Sequence, residues 1–510
     1  LYQLKPQKVK NNGVERTMTT QYYPYIIVHN GANYWQLNQK KLSHGILTGV
    51  LSKVNATSDF YYQKSLQKRT FKVPREDMNY ARQIHLHVDA FELIDSTSIE
   101  LKIADIKQAE TLNINAGMSV FSSVLLIVGT PLAIFTVVLA IACNCPHNYT
   151  FDGTNYHFTN TLFTGATAPN LERNDFKMLP DYRPSDSTYQ MIVKNELNEQ
   201  QFTNLLELIA VSHPLNTQVV TDQKGNLYSV AQRENALAAT NDAGESMVQL
   251  ISEPDDEAYS FTQMGSDNFS HVVTQFAVPS NATNGKILVR AKNTQWGGLV
   301  YESFAELMGK NYDNWVKHNQ KRTPEEAQKD MEEAGIPLIV SIKKNNEWVP
   351  VESIQLVGEV DFNEICIPLS ETDLPKEGKL EVRITSGFNF WELDAVQMDF
   401  SAPQPLSIVH LAPTSATGAL DYTSQLQSDD QNYMAHLQKG DSAVIRFEQI
   451  PVVSDAARTL FIRSKGYYLS TKTHSGSTNW SAVMAMRQAG GLSLFSKELY
   501  ELYSNWTVNE

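Results

Sequence analysis

Short runs in which apolar and polar residues alternate, separated by Gly, Asn and Asp, recur along most of the chain and predict strands. Near the N-terminal end, YPYIIVHNGANYWQL places two such runs around Asn30-Gly31, the signature of a hairpin. HGILTGVLSKVN, QIHLHVDAFEL and STSIELKIADIKQAETLN continue the pattern, so residues 1–110 read as a small SH3-like or open β-barrel. Beyond residue 146, HNYTFDGTNYHFTNTLFTG turns at Asp152-Gly153 and VVTDQKGNLYSV turns at Lys224-Gly225, while TYQMIVKNELNEQQFTNLLELIAVSHP holds two strands about a polar turn.

Two later segments share a pattern: GKILVRAKNTQWGGLVYESF from Gly285 and GKLEVRITSGFNFWELDAVQMDF from Gly378. Each has Gly-Lys, an apolar strand with Val-Arg, a polar turn, a Trp and an expected second strand, which suits the two ends of one jelly-roll sandwich. On this reading Trp296 and Trp391 take related inward places. Between them RTPEEAQKDMEEAGIP predicts a helix capped by Thr323, opened by Pro324, boxed by Glu326 and stopped at Gly335. The tail adds strands in GDSAVIRFEQI and ARTLFIRSKGYYLS, and a terminal amphipathic helix in LSLFSKELYELYSNW.

One stretch breaks the alternation. Residues 117–143 carry no charged side chain and would be about 40 Å long as a helix, against a hydrocarbon core of about 30 Å. No side of the run is polar, which predicts one transmembrane helix within 111–146, kinked at Gly129-Thr130-Pro131. The competing reading is a hairpin buried between domains. The chain is therefore expected to be mainly β: a barrel at 1–110, the membrane helix at 111–146, then consecutive β-sandwich or jelly-roll domains at 147–275 and 276–402, and a β domain with a terminal helix at 403–510.

Charge is divided unevenly. Of the net charge of −14, residues 1–116 contribute +5 (15 Lys and Arg against 10 Asp and Glu), leaving −19 on the remainder. So acidic a body repels nucleic acid and argues against it as a partner. Membrane lipids are the expected partner of the apolar run, with glycan as a further candidate ligand of the chain. The basic residues before the apolar run place the N-terminal side in the cytoplasm and the C-terminal region outside it. With only three cysteines the chain is no disulfide scaffold; Cys143 and Cys145, at the edge of the apolar run, are candidates for lipidation.

Candidate chemistry is sparse. His85, His87 and Asp89 fall on one strand face at a spacing that suits Zn²⁺, but they equally form the polar face of a strand whose Ile84, Leu86 and Val88 point inward, and no metal is expected. Glu392 and Asp394 in WELDAVQMD resemble the E-x-D-x-x-E strand of laminarinase-like jelly-roll glycosidases, in which nucleophile and acid/base face a sugar. Here Gln397 stands at the place of the second acid. Phe388, Phe390 and Trp391 would be the stacking platforms of such a site. The sequence contains no G-x-S-x-G, H-E-x-x-H, P-loop or G-x-G-x-x-G motif, and no cofactor is expected.

CPHNYTFDGTNYHFTNTLFTGATAPNLERNDFKMLP, YQMIVKNELNEQQFTNLLELIAVSHP, SGFNFWELDAVQMDF and RTLFIRSKGYY together resemble a group of uncharacterised envelope proteins of Gram-negative bacteria, many of them predicted lipoproteins. The resemblance implies attachment through a lipid-bearing cysteine ahead of the first strand, a place in the cell envelope, and other envelope proteins as partners. The expected function is that of a membrane-anchored scaffold or binding subunit of a secretion, outer-membrane assembly or motility complex. The alternative is a surface glycan-binding protein or glycoside hydrolase acting through Glu392 and Asp394.

Overall fold

The computed structural model describes residues 2–9, 25–31, 33–43, 45–67, 71–73, 80, 83–94, 97–114, 146–180, 182–376, 378–451 and 456–507. The apolar run 117–143, with Cys143 and Cys145, lies outside them. Among the described residues no helix is long and apolar enough to cross a membrane.

The chain is mainly β, as its alternation predicts. Residues 2–114 supply β1 (Tyr2–Val9), β2 (Tyr25–Asn30), β3 (Asn33–Ser43), β4 (Ile46–Ser52), α1 (Ala56–Gln67), β5 (Phe71–Val73), β6 (Gln83–Val88), β7 (Glu92–Leu93), β8 (Ser98–Lys102) and β9 (Ile106–Ile114). They form one nine-stranded sheet in the order β5-β1-β9-β6-β2-β3-β4-β8-β7, curved into a half-barrel. The hairpin at Asn30-Gly31 forms as expected, with Asn30 paired to Asn33 and Gly31 at φ 61°. One face packs Val28, Leu37, Leu47, Ile84, Leu86, Ile99 and Leu101 into a core. The opposite face is not left to solvent, because Ser58, Tyr61 and Ser65 of α1 are buried as well.

Past residue 146 the strands are β10 (His147–Phe151), β11 (Tyr156–Thr161), β12 (Arg173–Met178), β13 (Thr188–Lys194) and β14 (Glu199–Pro214). Next come β15 (Gln218–Thr221), β16 (Leu227–Val230), β17 (Glu234–Asn235), β18 (Ala238–Asn241), α2 (Val248–Ile251), β19 (Tyr259–Ser260), β20 (Ser270–Ala277), β21 (Asn284–Asn293), α3 (Gln295–Met308), α4 (Tyr312–Asn319) and α5 (Pro324–Glu333). Then follow β22 (Leu338–Lys344), β23 (Glu347–Ile354), β24 (Asn363–Ser370), β25 (Lys379–Ser386), β26 (Trp391–Asp399), β27 (Ser407–Leu411), β28 (Ser415–Thr417), α6 (Thr423–Leu426), β29 (Met434–His436), β30 (Ser442–Glu448), β31 (Ala456–Ser470), α7 (Trp480–Met486) and α8 (Gly491–Thr507).

These strands do not form sandwiches one after another. The sheets β11-β10-β13-β30-β28 and β12-β31-β14-β27 draw on both ends of the segment and enclose one core, containing Phe163, Met191, Leu206, Leu208, Ile445, Phe447 and Ile462. The sheets β16-β15-β24-β21-β26-β17 and β18-β20-β25-β22-β23 enclose a second core, containing Phe261, Phe276, Val289, Val340, Val382 and Trp391. The second sandwich is thus inserted between β14 and β27 of the first. Ser212 pairs with Ser407, so the two ends of the insertion leave from neighbouring strands, where a domain is accommodated with little distortion. A division at 275 would cut β20, whose partner β25 lies more than a hundred residues further on. Period-2 alternation marks a strand but says nothing about which distant strand it joins, which is why the consecutive order failed.

The two Gly-Lys segments also diverge. In the second, β25 and β26 are strands as expected. In the first, β21 is followed by α3, with Thr294 as N-cap accepting from the Gly297 amide. Trp391 is fully buried and donates from Nε1 to Ile336 O at 2.8 Å, whereas Trp296 opens α3 and packs edge-on against Tyr500 and Tyr503 of α8. The two tryptophans therefore take unrelated places. The terminal helix α8 forms as expected, and its Phe495 and Leu499 join the second core.

One glycine is required by close approach. A Cβ on Gly466 of β31 would lie 2.3 Å from Phe202 O and 2.8 Å from the Phe163 ring, beside the irregular register of β14 at Thr203 and Leu205. The helix α5 carries its full capping box: Thr323 accepts from the Glu326 amide, and Glu326 accepts from the Thr323 amide. Its residues bury no apolar face, so the cap bears most of the helix start. Thr323→Ala is expected to cost about 1 kcal/mol locally, read as faster amide exchange across 325–333 with little change in global melting.

Candidate functional site

The nesting of the sandwiches creates a cleft. It has a volume of about 1830 Å³ and is walled on one side by β12, His213, Thr459 and Phe461 of the first sandwich, and on the other by β21, β24, the end of β23 and the loop 355–362 of the second. Alternation explains the second wall: Ile287, Val289 and Ala291 of β21 enter the core, so Arg290 and Lys292 must face the cleft.

Three cations on that wall are fixed. Arg290 donates from Nη1 to Asp394 and lies 2.8 Å from Asp256 Oδ1, while Lys292 Nζ is 3.2 Å from Glu392 Oε2. Both also lie over the Phe362 ring, at 4.9 Å and 4.6 Å from its centroid, so one aromatic face holds two cations. Arg233 grips Glu364 with both Nη atoms, at 2.5 and 2.9 Å, and reaches Gln397 Oε1 at 3.0 Å. From the opposite wall Lys177, 2% exposed, donates to Val357 O and to Asn363 Oδ1, and Arg173 donates to Leu356 O at 2.9 Å. The loop 355–362 is thereby strapped to the first sandwich.

Two acids of that loop are shifted by burial. Burial raises the Asp361 carboxyl, opposed by Lys177 and Lys292. Burial pushes the Glu359 carboxyl up to about 9, and its buried Oε2 has no hydrogen-bond partner among the described residues. With its carboxyl raised so far, Glu359 is expected to carry its proton at neutral pH, at the edge of the cleft.

The Glu392 and Asp394 pair has a different use from that of a glycosidase. Asp394 is 0% exposed, and besides Arg290 it accepts the Asp256 amide at 2.7 Å. Burial raises its pKa, with Arg290 opposing. The flanking aromatics Phe388, Phe390 and Trp391 are 3%, 5% and 0% exposed and present no face to a sugar.

In the half-barrel, Ile84, Leu86 and Val88 point inward as expected, but on the polar side His85 is covered by Tyr62 of α1. His85 is 2% exposed, donates from Nε2 to Gln83 Oε1 at 2.9 Å, and shares a 2.8 Å hydrogen bond through Nδ1 with His29 Nε2. Since Gln83 donates its amide to Ser58 O and Tyr80 O, its oxygen is the acceptor, which makes His29 the donor to His85. Tyr62 stacks on His85 at 3.9 Å and His87 on His29 at 4.4 Å. Burial lowers His29 to about 4 and His85 well below its usual value. His85 has both ring nitrogens engaged and Asp89 is exposed beside Lys107, so His85, His87 and Asp89 do not converge on a cation.

No protein-family model matches the chain, and comparison with curated proteins gives no sequence match.

Proposed function

We propose that the protein is a membrane-anchored binding and scaffolding subunit of a larger cell-envelope assembly, and that the cleft between its nested sandwiches takes the partner. The observation that carries this reading is the cleft wall, where Arg290, Lys292 and Arg233 are each held by a carboxylate and the two flanking Phe362 are held over its ring. Groups paired in this way offer fixed dipoles and a rigid polar relief, which suits recognition of an extended polar segment of another envelope protein. Glu392 and Asp394, each tied to a cation, do not supply the free base that bond cleavage on that strand would need. In this reading the run 117–143 crosses the membrane, the half-barrel lies on its N-terminal side, and both sandwiches project beyond the cytoplasm.

Pull-down from detergent-solubilised native membranes tests it. The wild-type chain is expected to recover a stoichiometric envelope protein, and Phe362→Ala to reduce that recovery at least about tenfold, the effect of losing a central aromatic contact. Recovery of the chain alone in every detergent would sink the proposal.

A further inference from the structure

On α3 the residues Glu302 and Glu306 are one turn apart and share a helix face. The connector between β31 and α7 brings His474 to that face. One ligand atom from each of the three residues lies within 4.8 Å of the others. The His474 side chain is 3% exposed and its Nδ1 makes no hydrogen bond among the described residues; the carboxylate oxygen Glu306 Oε1 stands 3.5 Å away. That separation is long for a hydrogen bond, but close to the edge of roughly 3.3 Å that a tetrahedron with metal–ligand bonds of about 2.0–2.1 Å requires.

We infer that Glu302, Glu306 and His474 form a binding site for a divalent transition metal of the Zn²⁺ type. An imidazole nitrogen with two carboxylate oxygens is a borderline donor set that Zn²⁺ accepts, and it is too small and too nitrogenous for Ca²⁺. The ligands are held in advance. Asn479 donates its amide to Leu307 O at 2.8 Å, Thr478 donates from Oγ1 to Met308 O at 2.6 Å, and Asn311 donates from Nδ2 to Thr478 Oγ1 at 2.6 Å. The His474 ring also packs on Tyr312, 4.5 Å between centroids. Lys472 Nζ donates to Glu302 Oε1 at 2.8 Å and occupies the place of a cation beside the buried carboxylate. Being one-third exposed, it moves to solvent when the metal enters. The bound metal staples the connector that leaves the first sandwich at Ser470 onto the principal helix of the second.

The test is titration of the purified full chain with ZnCl₂, after chelator treatment and dialysis, against a chromophoric competitor. One equivalent is expected to bind per chain, with His474→Ala and Glu306→Gln each weakening binding about 100-fold or more, beyond the 10–100-fold of an outer-shell change. Lys472→Met should tighten binding, because it removes the competing ammonium, and it leaves all three ligands in place should His474→Ala fail to fold. Absence of a zinc equivalent, equal affinity in wild type and Glu306→Gln, or no gain in Lys472→Met would each overturn the site. The pull-down reading of the cleft does not depend on any of these results.

Discussion

Asp394→Ala is expected to destabilise the second sandwich by about 3–5 kcal/mol, whereas Glu392→Gln, two residues away on the same strand, should cost no more than about 1 kcal/mol. The contrast comes from burial. Asp394 is fully buried, pairs with Arg290 and accepts the Asp256 amide, so its removal leaves a half-buried guanidinium with one carboxylate fewer and an amide without its acceptor. Glu392 is about one-third exposed and pairs only with Lys292. Urea unfolding of both variants measures the difference. A hydrolase built on this strand would show the reverse: little loss of stability in either variant and loss of polysaccharide cleavage in both.

How far the fold could be read from the sequence depends on what each signal measures. Hairpins at Asn30-Gly31, Asp152-Gly153 and Lys224-Gly225 form where expected because turn and strands are local. The α5 capping box is equally local, since all its hydrogen bonds lie within three residues. The nested order was not legible, because β14 and β31 are both long apolar strands and nothing in their composition says that they pair across the inserted sandwich. Helix α3 was misread because Trp296, Val300 and Tyr301 favour strands and Gly297-Gly298 weakens a helix. Tertiary burial of Leu299, Val300, Ala305 and Leu307, together with the Thr294 cap, overrides that preference.

The same limit applied to the cleft. Alternation in ILVRAK puts Arg290 and Lys292 on one outward face, and WELDAVQMD puts Glu392 and Asp394 on another, so each half of the pairing was visible. That β21 and β26 are neighbours, which turns four outward charges into two ion pairs, is set by the sheet order. Once paired, a carboxylate duo that looks catalytic in sequence is part of a wall. In the half-barrel the hidden element was α1, whose polar sequence gave no helical stripe and whose packing buries His29 and His85.

Glu359→Gln is expected to stabilise the protein, by an amount that grows with pH. The Glu359 carboxyl is held up to about 9 by burial, against an ordinary value of 4.5. Below pH 4.5 it is protonated in the folded and the unfolded chain alike and has no effect on the balance. As pH rises from 4.5 towards 9 the unfolded chain ionises while the folded one stays protonated, so stability falls by about 1.4 kcal/mol per pH unit. The penalty is about 3 kcal/mol at pH 7 and about 6 kcal/mol near pH 9. Glutamine has the shape of the protonated acid and no ionisation, so it removes this slope and little else. Buried His29 and His436, both lowered to about 4, act in the opposite sense: their contribution is fully present above about pH 6.5 and is lost as pH falls towards 4. The wild-type profile alone therefore mixes the two effects. The difference between Glu359→Gln and wild type isolates the carboxyl, and urea unfolding at pH 5, 7 and 8.5 should show it widening at each step. A constant difference would mean that Glu359 is ionised in the folded chain and compensated by a cation. The loop 355–362 would then hold a charge, in place of a proton donor, at the edge of the cleft.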